Sequence, residues 1–430
     1  MTEDTDTNDY EERDILKRFP DRLAHAFLKE AERVLTEYMP PMHWNARYTK
    51  RDFAKQLVFI ARHRDFITNG SCVYNFDHSG PSGDTILYHL QHLSEEDVQH
   101  LYEKANGLIL QLIKKHRLYR NTNVQLAVDF TDKDFYGDYR DKWIWKKNEN
   151  LNWKRMYKEI LVSMIDKDQK YPLYIEPAPA SCARAEKMAE LLTSVLEKTI
   201  SFYEIFNARL CVDREFFNVE AINALQALAK SHDIEWLMPA KETGRVKKML
   251  ALGVEGVWPY HIQNKKRKRA HFTLVIALNE KGELRPFATN MKIENPRELF
   301  IIYKRRWQIE TNNRSIKHPF LINTTSVHLP TRDFLMRLAT LLCFLWMLIN
   351  AVMIREFGYH YWIKSRMFSV LLFNESVDRN PKKLKKAFTK APLSAQALDS
   401  VSFFSLILLF SIIPKNIYLP LLKDILYPSF

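Results

Sequence analysis

The chain reads as an α/β protein: a mixed sheet flanked by helices, carrying a β-rich insertion, between helical N-terminal and C-terminal regions. Three observations lead there. The hydrophobic period changes from helical to strand-like at Asn123. From there to Pro239 the elements run β-β-β-α-β-α-β, the order of a sheet with packed helices. Residues 241–291 then break that rhythm with strand-like pieces and basic residues, before a strongly marked helix start at Asn295.

Taken in order, residues 1–15 are an acidic tail, with seven acids and one Arg in the first fourteen residues, and are expected to be disordered. Residues 16–120 read as helical. Asp21–Tyr38 has apolar residues at helical spacing, Ser82-Gly83-Asp84 opens a short helix, and Ser94-Glu95-Glu96-Asp97 caps another running to about Lys115. The last two fit either a helix-turn-helix or a plain helical hairpin. Strands are expected at Val124–Phe130, Tyr157–Ile165, Tyr171–Glu176, Arg209–Asp213 and Glu235–Pro239, with helices at Ala183–Phe202 and Val219–Ser231. The insertion offers strands at Val254–Ile262, Phe272–Leu278 and Phe287–Met291. Residues 366–430 return to helix, with a basic patch at Lys382–Lys386.

Composition narrows the function. Apolar residues make up 46% and aromatics 13% of 430 residues, enough for a sizeable core. Glycine is scarce, ten in all, and no G-x-G-x-x-G, G-x-x-x-x-G-K-[ST] or G-x-S-x-G occurs. Dinucleotide enzymes, P-loop NTPases and nucleophile-elbow esterases are therefore disfavoured. The four cysteines, Cys72, Cys182, Cys211 and Cys343, form no C-x-x-C pair, so neither a zinc spacing nor a redox motif is present. The acidic N-terminus has no apolar signal segment, which points to the cytoplasm. Leu338–Ile354 and Val401–Ile413 are free of charge but fall short of the ~20 residues of a membrane span, so both are expected as buried core helices.

Sixty-four Lys and Arg against 51 acids give a net charge of +13. From Lys241 to Phe320 there are 18 basic residues against 7 acidic ones, including the run Lys265, Lys266, Arg267, Lys268 and Arg269. Such a run suits a solvated hairpin tip or a surface that binds nucleic acid by counterion release, with a membrane surface as the rival partner.

Asn295-Pro296-Arg297-Glu298 combines an Asn N-cap, Pro at the first helical position and Glu at the third. At 100° per residue, Tyr303, Arg306, Glu310 and Lys317 share a sector of about 60°, and Arg314 borders it. Ile302, Ile309 and Ile316 form a separate apolar seam, and Pro319 is expected to end the helix. A solvated, salt-bridged face is the plain interpretation. Upstream, however, two strands end in the carboxylates Asp129 and Asp213, and strand ends in a mixed sheet converge. Three carboxylates meeting beside cations are costly unless metal ions neutralise them, and paired Mg²⁺ ions can clamp a phosphoryl displacement.

These residues resemble a known family. Tyr303-x2-Arg306-x3-Glu310-x6-Lys317 resembles the Y-R-E-K signature of insertion-sequence DDE transposases, which share the fold of ribonuclease H and retroviral integrase. Val128-Asp129-Phe130-Thr131 with Tyr136-Gly137-Asp138 is similar to their first acidic block, and Cys211-Val212-Asp213-Arg214-Glu215-Phe216-Phe217 to their second. Trp307-Gln308-Ile309-Glu310 and the apolar segment Arg332–Asn350 also match, so the resemblance covers roughly residues 120–355.

The resemblance implies an RNase H-like mixed-sheet DDE catalytic domain over 121–365 with the basic β-rich insertion 241–291. A helical DNA-binding domain over 16–120 would precede it and a helical region over 366–430 would follow. It implies that Asp129, Asp213 and Glu310 hold two Mg²⁺ ions, with Mn²⁺ able to substitute, for cleavage at transposon ends and strand transfer, by cut-and-paste. Tyr303, Arg306, Arg314 and Lys317 would bind DNA, together with Lys265, Lys266, Arg267, Lys268 and Arg269. The implied partners are double-stranded DNA, as terminal inverted repeats and target, and a second subunit in a homodimer on DNA; no membrane is implied, and the setting is a prokaryotic nucleoid. An RNase H-like nuclease without strand transfer and a catalytically silent DNA-binding derivative are the alternatives. Asp132, Asp134 and Asp138 compete for the first acidic position, but Asp129 ends the apolar strand and the others are expected in the turn. Glu215 suits either a metal ligand or an ion pair, and Trp258 either a core position or a stacking platform.

Overall fold

The structure, a computed structural model, describes residues 20–118, 124–137, 141–149, 152–166, 169–306, 316–358, 362–373 and 388–389. The acidic tail, the Lys382–Lys386 patch and Val401–Ile413 lie outside the described residues.

Five helices open the chain: α1 (Pro20–Tyr38), α2 (Lys50–His63), α3 (Ile67–Asp77), α4 (Gly83–Gln91) and α5 (Glu95–His116). Thr49 and Ser94 each form a capping box, with Asp52 and Asp97, and Ser82 caps α4 through the Thr85 amide. Each cap satisfies amides that a helix start leaves without partners, an effect of about 1 kcal/mol. The inner faces of α4 and α5, including Ile86, Leu90, Val98 and Tyr102, are buried: α4 packs against α3, α5 against α1, and both against the long core helix Leu329–Phe357.

The sheet begins with β1 (Gln125–Phe135), β2 (Ile144–Glu149), β3 (Asn152–Asp166) and β4 (Gln169–Ala178). Then come α6 (Ala185–Phe202), β5 (Arg209–Val212), α7 (Val219–His232), β6 (Glu235–Pro239) and the short α8 (Gly244–Leu250). The insertion supplies β7 (Gly256–Gln263), β8 (Arg269–Leu278) and β9 (Leu284–Thr289). Next are α9 (Pro296–Arg306), a helical stretch at 316–320, α10 (Leu329–Phe357), and α11 (Ser365–Leu371) beside the two-residue pair β10 (Trp362–Ile363) and β11 (Phe388–Thr389).

Strands β4-β3-β1-β5-β6 lie side by side, with β1, β5 and β6 parallel and β3 and β4 antiparallel to their neighbours. This mixed sheet with helices on both faces is consistent with an RNase H-like fold. Because β9 pairs antiparallel with β6, the insertion extends the same sheet instead of forming a separate module. Leu126, Ala127, Val128, Leu210, Cys211 and Val212 are all fully buried, as parallel strands covered on both faces require. One face meets α6, through Leu191 against the cluster of Trp145, Met156 and Ala178. The other meets α9 over β5, β6, β8 and β9, and the start of α10 over β3.

Two expectations need correction. β1 runs on to Phe135, so Asp132 and Asp134 sit in the strand, not in a turn. Residues 316–320 are helical, so Pro319 lies inside that last stretch. The charge-free Leu338–Ile354 run is part of α10, 29 residues long and apolar enough for a bilayer, but buried along its length from Leu329 to Met353 as the core helix.

Candidate active site

The parallel register places Ala127 beside Cys211 and Val128 beside Val212, so Asp129 and Asp213 follow at the next step of adjacent strands. Alternation along a strand puts both carboxylates on the face that carries Ala127 and Cys211. Both are half-buried. Asp129 Oδ1 accepts a hydrogen bond from the Phe130 amide at 2.9 Å. Asp213 caps the 3₁₀ turn Arg214–Phe216, with Oδ2 accepting from the Glu215 amide at 3.0 Å. The middle of β1 and the end of β5 thus bring two carboxylates to neighbouring positions, each with part of its acceptor capacity taken by backbone; Asp129 does not end its strand as its sequence suggests. Glu215 itself forms an ion pair with Lys158 at 2.8 Å.

α9 lies on this face. Leu299, Ile302 and Tyr303 pack with Ala127, Cys211, Leu237 and Phe287, and the Tyr303 ring lies 5.3 Å from that of Phe287. Gln125 Nε2 donates to the Ile302 carbonyl at 3.1 Å, tying the helix to β1 four residues before Asp129. Beyond the segment 307–315, Lys317 donates to the Asp132 carbonyl and approaches its carboxylate at 3.7 Å, three residues after Asp129. Both ends of that segment are therefore anchored to β1, on either side of Asp129. Glu310 and Arg314 lie within it, outside the described residues, and Arg306 is described as a backbone position only.

Of the expected DNA-contacting residues, Tyr303 is half-buried in the α9 seam and Lys317 is engaged with β1. Lys265, Lys266, Arg267, Lys268 and Arg269 are all exposed, in the β7–β8 turn and at the start of β8. Lys266 pairs with Glu186 at 2.8 Å and Asn264 Nδ2 donates to Glu220 at 2.6 Å, so this turn rests on the first turns of α6 and α7. α7 is the helix that follows Asp213. Trp258 is half-buried on β7, its ring lying over Gly256, and not a full core residue.

No local pattern announces the polar cluster next to Asp129. Past that residue the same face of β1 carries Thr131 and Lys133, opposite Glu159 and Tyr157 of β3. Arg332, at the start of α10, lies 4.4 Å from the Tyr157 ring. A cavity of about 10 Å³ separates these side chains, barely room for one water. Glu159 is buried, and among the described residues its Oε2 has no hydrogen-bond partner. Burial pushes its carboxyl up to about 8, with Lys317, Lys133 and Arg332 opposing the rise. Burial, reinforced by Arg332, brings Lys133 down to about 8.

The folded chain therefore keeps the Glu159 proton to about pH 8, whereas an unfolded glutamate releases it near pH ~4.3. In that window the folded state binds more protons, so this residue's contribution to stability falls as pH rises and levels off above about 8. Lys133 is protonated in both states over most of that range. Glu159→Gln should therefore melt with a stability that falls less, or rises more, between pH 5.5 and 8 than the parent, by a few kcal/mol at most. Parallel pH profiles of the two melting curves would refute the burial effect.

The geometry defines a mixed-sheet protein with two carboxylates on adjacent parallel strands, one within β1 and one just past β5, on a face crossed by a helix. The family model for the transposase DDE domain matches residues 121–346, over half the chain, and the chain belongs to that family. No curated protein matches it. Among solved structures it is similar to a piggyBac transposase synaptic complex with hairpin DNA. Identity there is 9% and the TM-score 0.48, over 90% of this chain and 85% of that one. Another match is the NurA nuclease from Sulfolobus solfataricus, with 8% identity and a TM-score of 0.28, over 49% of this chain and 85% of that one. At these TM-scores neither likeness bears on what this chain does. Among the described residues no group of three or more His, Cys, Asp or Glu stands ready for a metal ion, and Glu310 is not among them.

Proposed function

We propose that the chain is a DNA transposase that cleaves the ends of its own element and joins them to target DNA, with Asp129, Asp213 and Glu310 as the catalytic carboxylates. One observation carries this reading: Asp129 and Asp213 lie side by side on a face that α9 crosses, and the segment holding Glu310 is anchored to β1 on both sides of Asp129. Carboxylate oxygens are the donors that Mg²⁺ or Mn²⁺ prefers. Two such ions would supply activation of the attacking oxygen and stabilisation of the leaving oxygen. Asp129, Asp213 and Glu310 would hold them, and the backbone bonds to Asp129 and Asp213 limit the rotation of both groups. Arg306, Arg314 and Lys317 grip phosphates beside the reacting bond, and Tyr303 stiffens the helix that presents them. The basic turn Lys265–Arg269 contacts DNA further away, and the working form on DNA is a homodimer. The helices of residues 20–118 serve as a DNA-binding domain, and the Y-R-E-K spacing supports kinship with the insertion-sequence transposases.

The test is linear DNA carrying the gene's own genomic flanks, incubated with protein and Mg²⁺ or Mn²⁺, with cut ends mapped and joined products scored. Metal-dependent breaks at matching inverted repeats, followed by joining, are expected. Breaks without joining would replace the transposase reading with a nuclease. Repeat-specific binding without breaks would mark a silent DNA-binding derivative.

A further inference from the structure

The insertion leaves a notch in the sheet. β9 stops pairing with β8 at Thr289, opposite Thr273, while β8 begins at Arg269. The carbonyls of that free edge are taken by α7. Asn223 Nδ2 donates to the Arg269 carbonyl at 3.1 Å, and Gln226 Nε2 donates to the His271 carbonyl. Beside them lies an open pocket of about 420 Å³, walled by His261, His271, Thr273 and Thr289. His261 of β7 stands directly opposite His271 in register, and their rings lie 5.5 Å apart. Alternation along β8 puts His271 on the face of Val275, which packs under α9 with Ala127 and Cys211. The histidine pair therefore shares its face of the sheet with Asp129 and Asp213.

The charge around the pair has one sign. Partial burial, then Arg269, Arg245 and His271, hold the His261 imidazole below the ordinary histidine range. Arg245, at the start of α8, is exposed and lies 4.8 Å from the ring of Tyr260, the chain neighbour of His261. The acid that α7 brings to this region, Glu220, is engaged by Asn264 of the β7–β8 turn at 2.6 Å. Among the described residues none of His261, His271, Arg245 and Arg269 is in an ion pair. Two imidazoles at this separation suit a transition metal as well, but among the described residues no third His, Cys, Asp or Glu joins them. A concave site ringed by nitrogen donors and lacking an acid favours an anion. We propose that this pocket binds a phosphate group, held by His261 and His271 with Arg245 and Arg269 beside them, and that a backbone phosphate of bound DNA fills it. The phosphate supplies the negative charge that the pair lacks. Its arrival draws a proton onto His261, so binding strengthens as pH falls toward the imidazole range. DNA as the source of the phosphate rests on reading the chain as a transposase.

The test is the double variant His261→Gln/His271→Gln, with Arg269→Gln as an independent change at an exposed position. Binding of inorganic phosphate and of an end-containing duplex is measured for wild type and both variants between about pH 6 and about pH 8.5. At the acid end the double variant should bind the duplex about tenfold more weakly than wild type, the loss of one charge-assisted hydrogen bond. At the alkaline end the two should agree within about threefold, since neutral imidazoles hold phosphate weakly. The slope of log affinity against log salt should be shallower by about 0.9 at the acid end, for one lost phosphate contact. Arg269→Gln should weaken binding at both ends of the range. In wild type the His261 ring signal should titrate at higher pH once phosphate or duplex is present, a readout that needs no folded variant. Equal affinity and slope for wild type and double variant at the acid end, with end cleavage intact in wild type, would overturn the pocket and leave the transposase reading standing. A His261 shift with inorganic phosphate but no binding of duplex would keep the pocket for a small phosphate ligand and overturn both DNA as its source and the transposase reading. Zn²⁺ held by wild type and lost in the double variant, with phosphate ignored by both, would make the pair a metal site and overturn the proposal.

Discussion

Asp213→Asn should abolish DNA cleavage, by at least about 10³-fold, while DNA binding stays within a few-fold of wild type. Asparagine is nearly isosteric and keeps a side-chain oxygen, so the bond from the Glu215 amide that fixes the turn Arg214–Phe216 survives. What is lost is one negative charge at the point where β1 and β5 bring two carboxylates together. Asp129→Asn should behave alike, because the Phe130 amide keeps its acceptor, and Glu310→Gln should match both. Glu215→Gln is the control. It breaks an ion pair with Lys158 in which Glu215 is 40% exposed. Such pairs contribute about 0–1 kcal/mol, so cleavage should change little. Substantial cleavage by the Asp213 variant under the conditions where wild type cuts would rule out its role.

Most of this architecture is legible in the residues because the central strands are covered on both faces and announce themselves as short apolar runs. Glu235–Pro239 appears in the structure with the bounds its sequence suggests, and so does the start of α9 after Asn295. The adjacency of Asp129 and Asp213 is another matter. It depends on a parallel register between strands more than eighty residues apart, which no local pattern encodes. β2 was hidden because Lys146-Lys147-Asn148-Glu149 lacks apolar alternation; its pairing with β3 and the anchoring of Trp145 define it. Glu159 looked like one more acid in a strand of mixed character. Only α10, packing over Tyr157 and Lys133 from a position some 170 residues later, makes it a buried carboxyl. Residues brought together by distant segments were the ones that sequence reading missed.

Arg337→Leu should be the most destabilising single substitution away from the site, by about 3–5 kcal/mol. Arg337 and Asp333 lie one turn apart in the first third of the core helix α10, with side chains only 3% and 7% exposed, and meet at 2.7 Å. The guanidinium also donates to Gln99 Oε1 at 2.7 Å and lies 4.7 Å from the Tyr102 ring, while Gln99 Nε2 donates to the Tyr174 hydroxyl at 2.7 Å. One buried cation thus ties α10 to α5, and through Gln99 to β4. Burial raises the Asp333 carboxyl above its ordinary range even with Arg337 beside it. Removing the arginine leaves that carboxyl buried without its cation, and the penalty is then desolvation more than a lost attraction. The double variant Arg337→Leu/Asp333→Leu should therefore recover much of the loss, since an apolar pair of similar volume demands no compensation. Equilibrium unfolding in urea of the parent, both singles and the double closes the cycle. A double variant as unstable as the sum of the singles would mean that the two residues contribute through packing with α5, and not through each other.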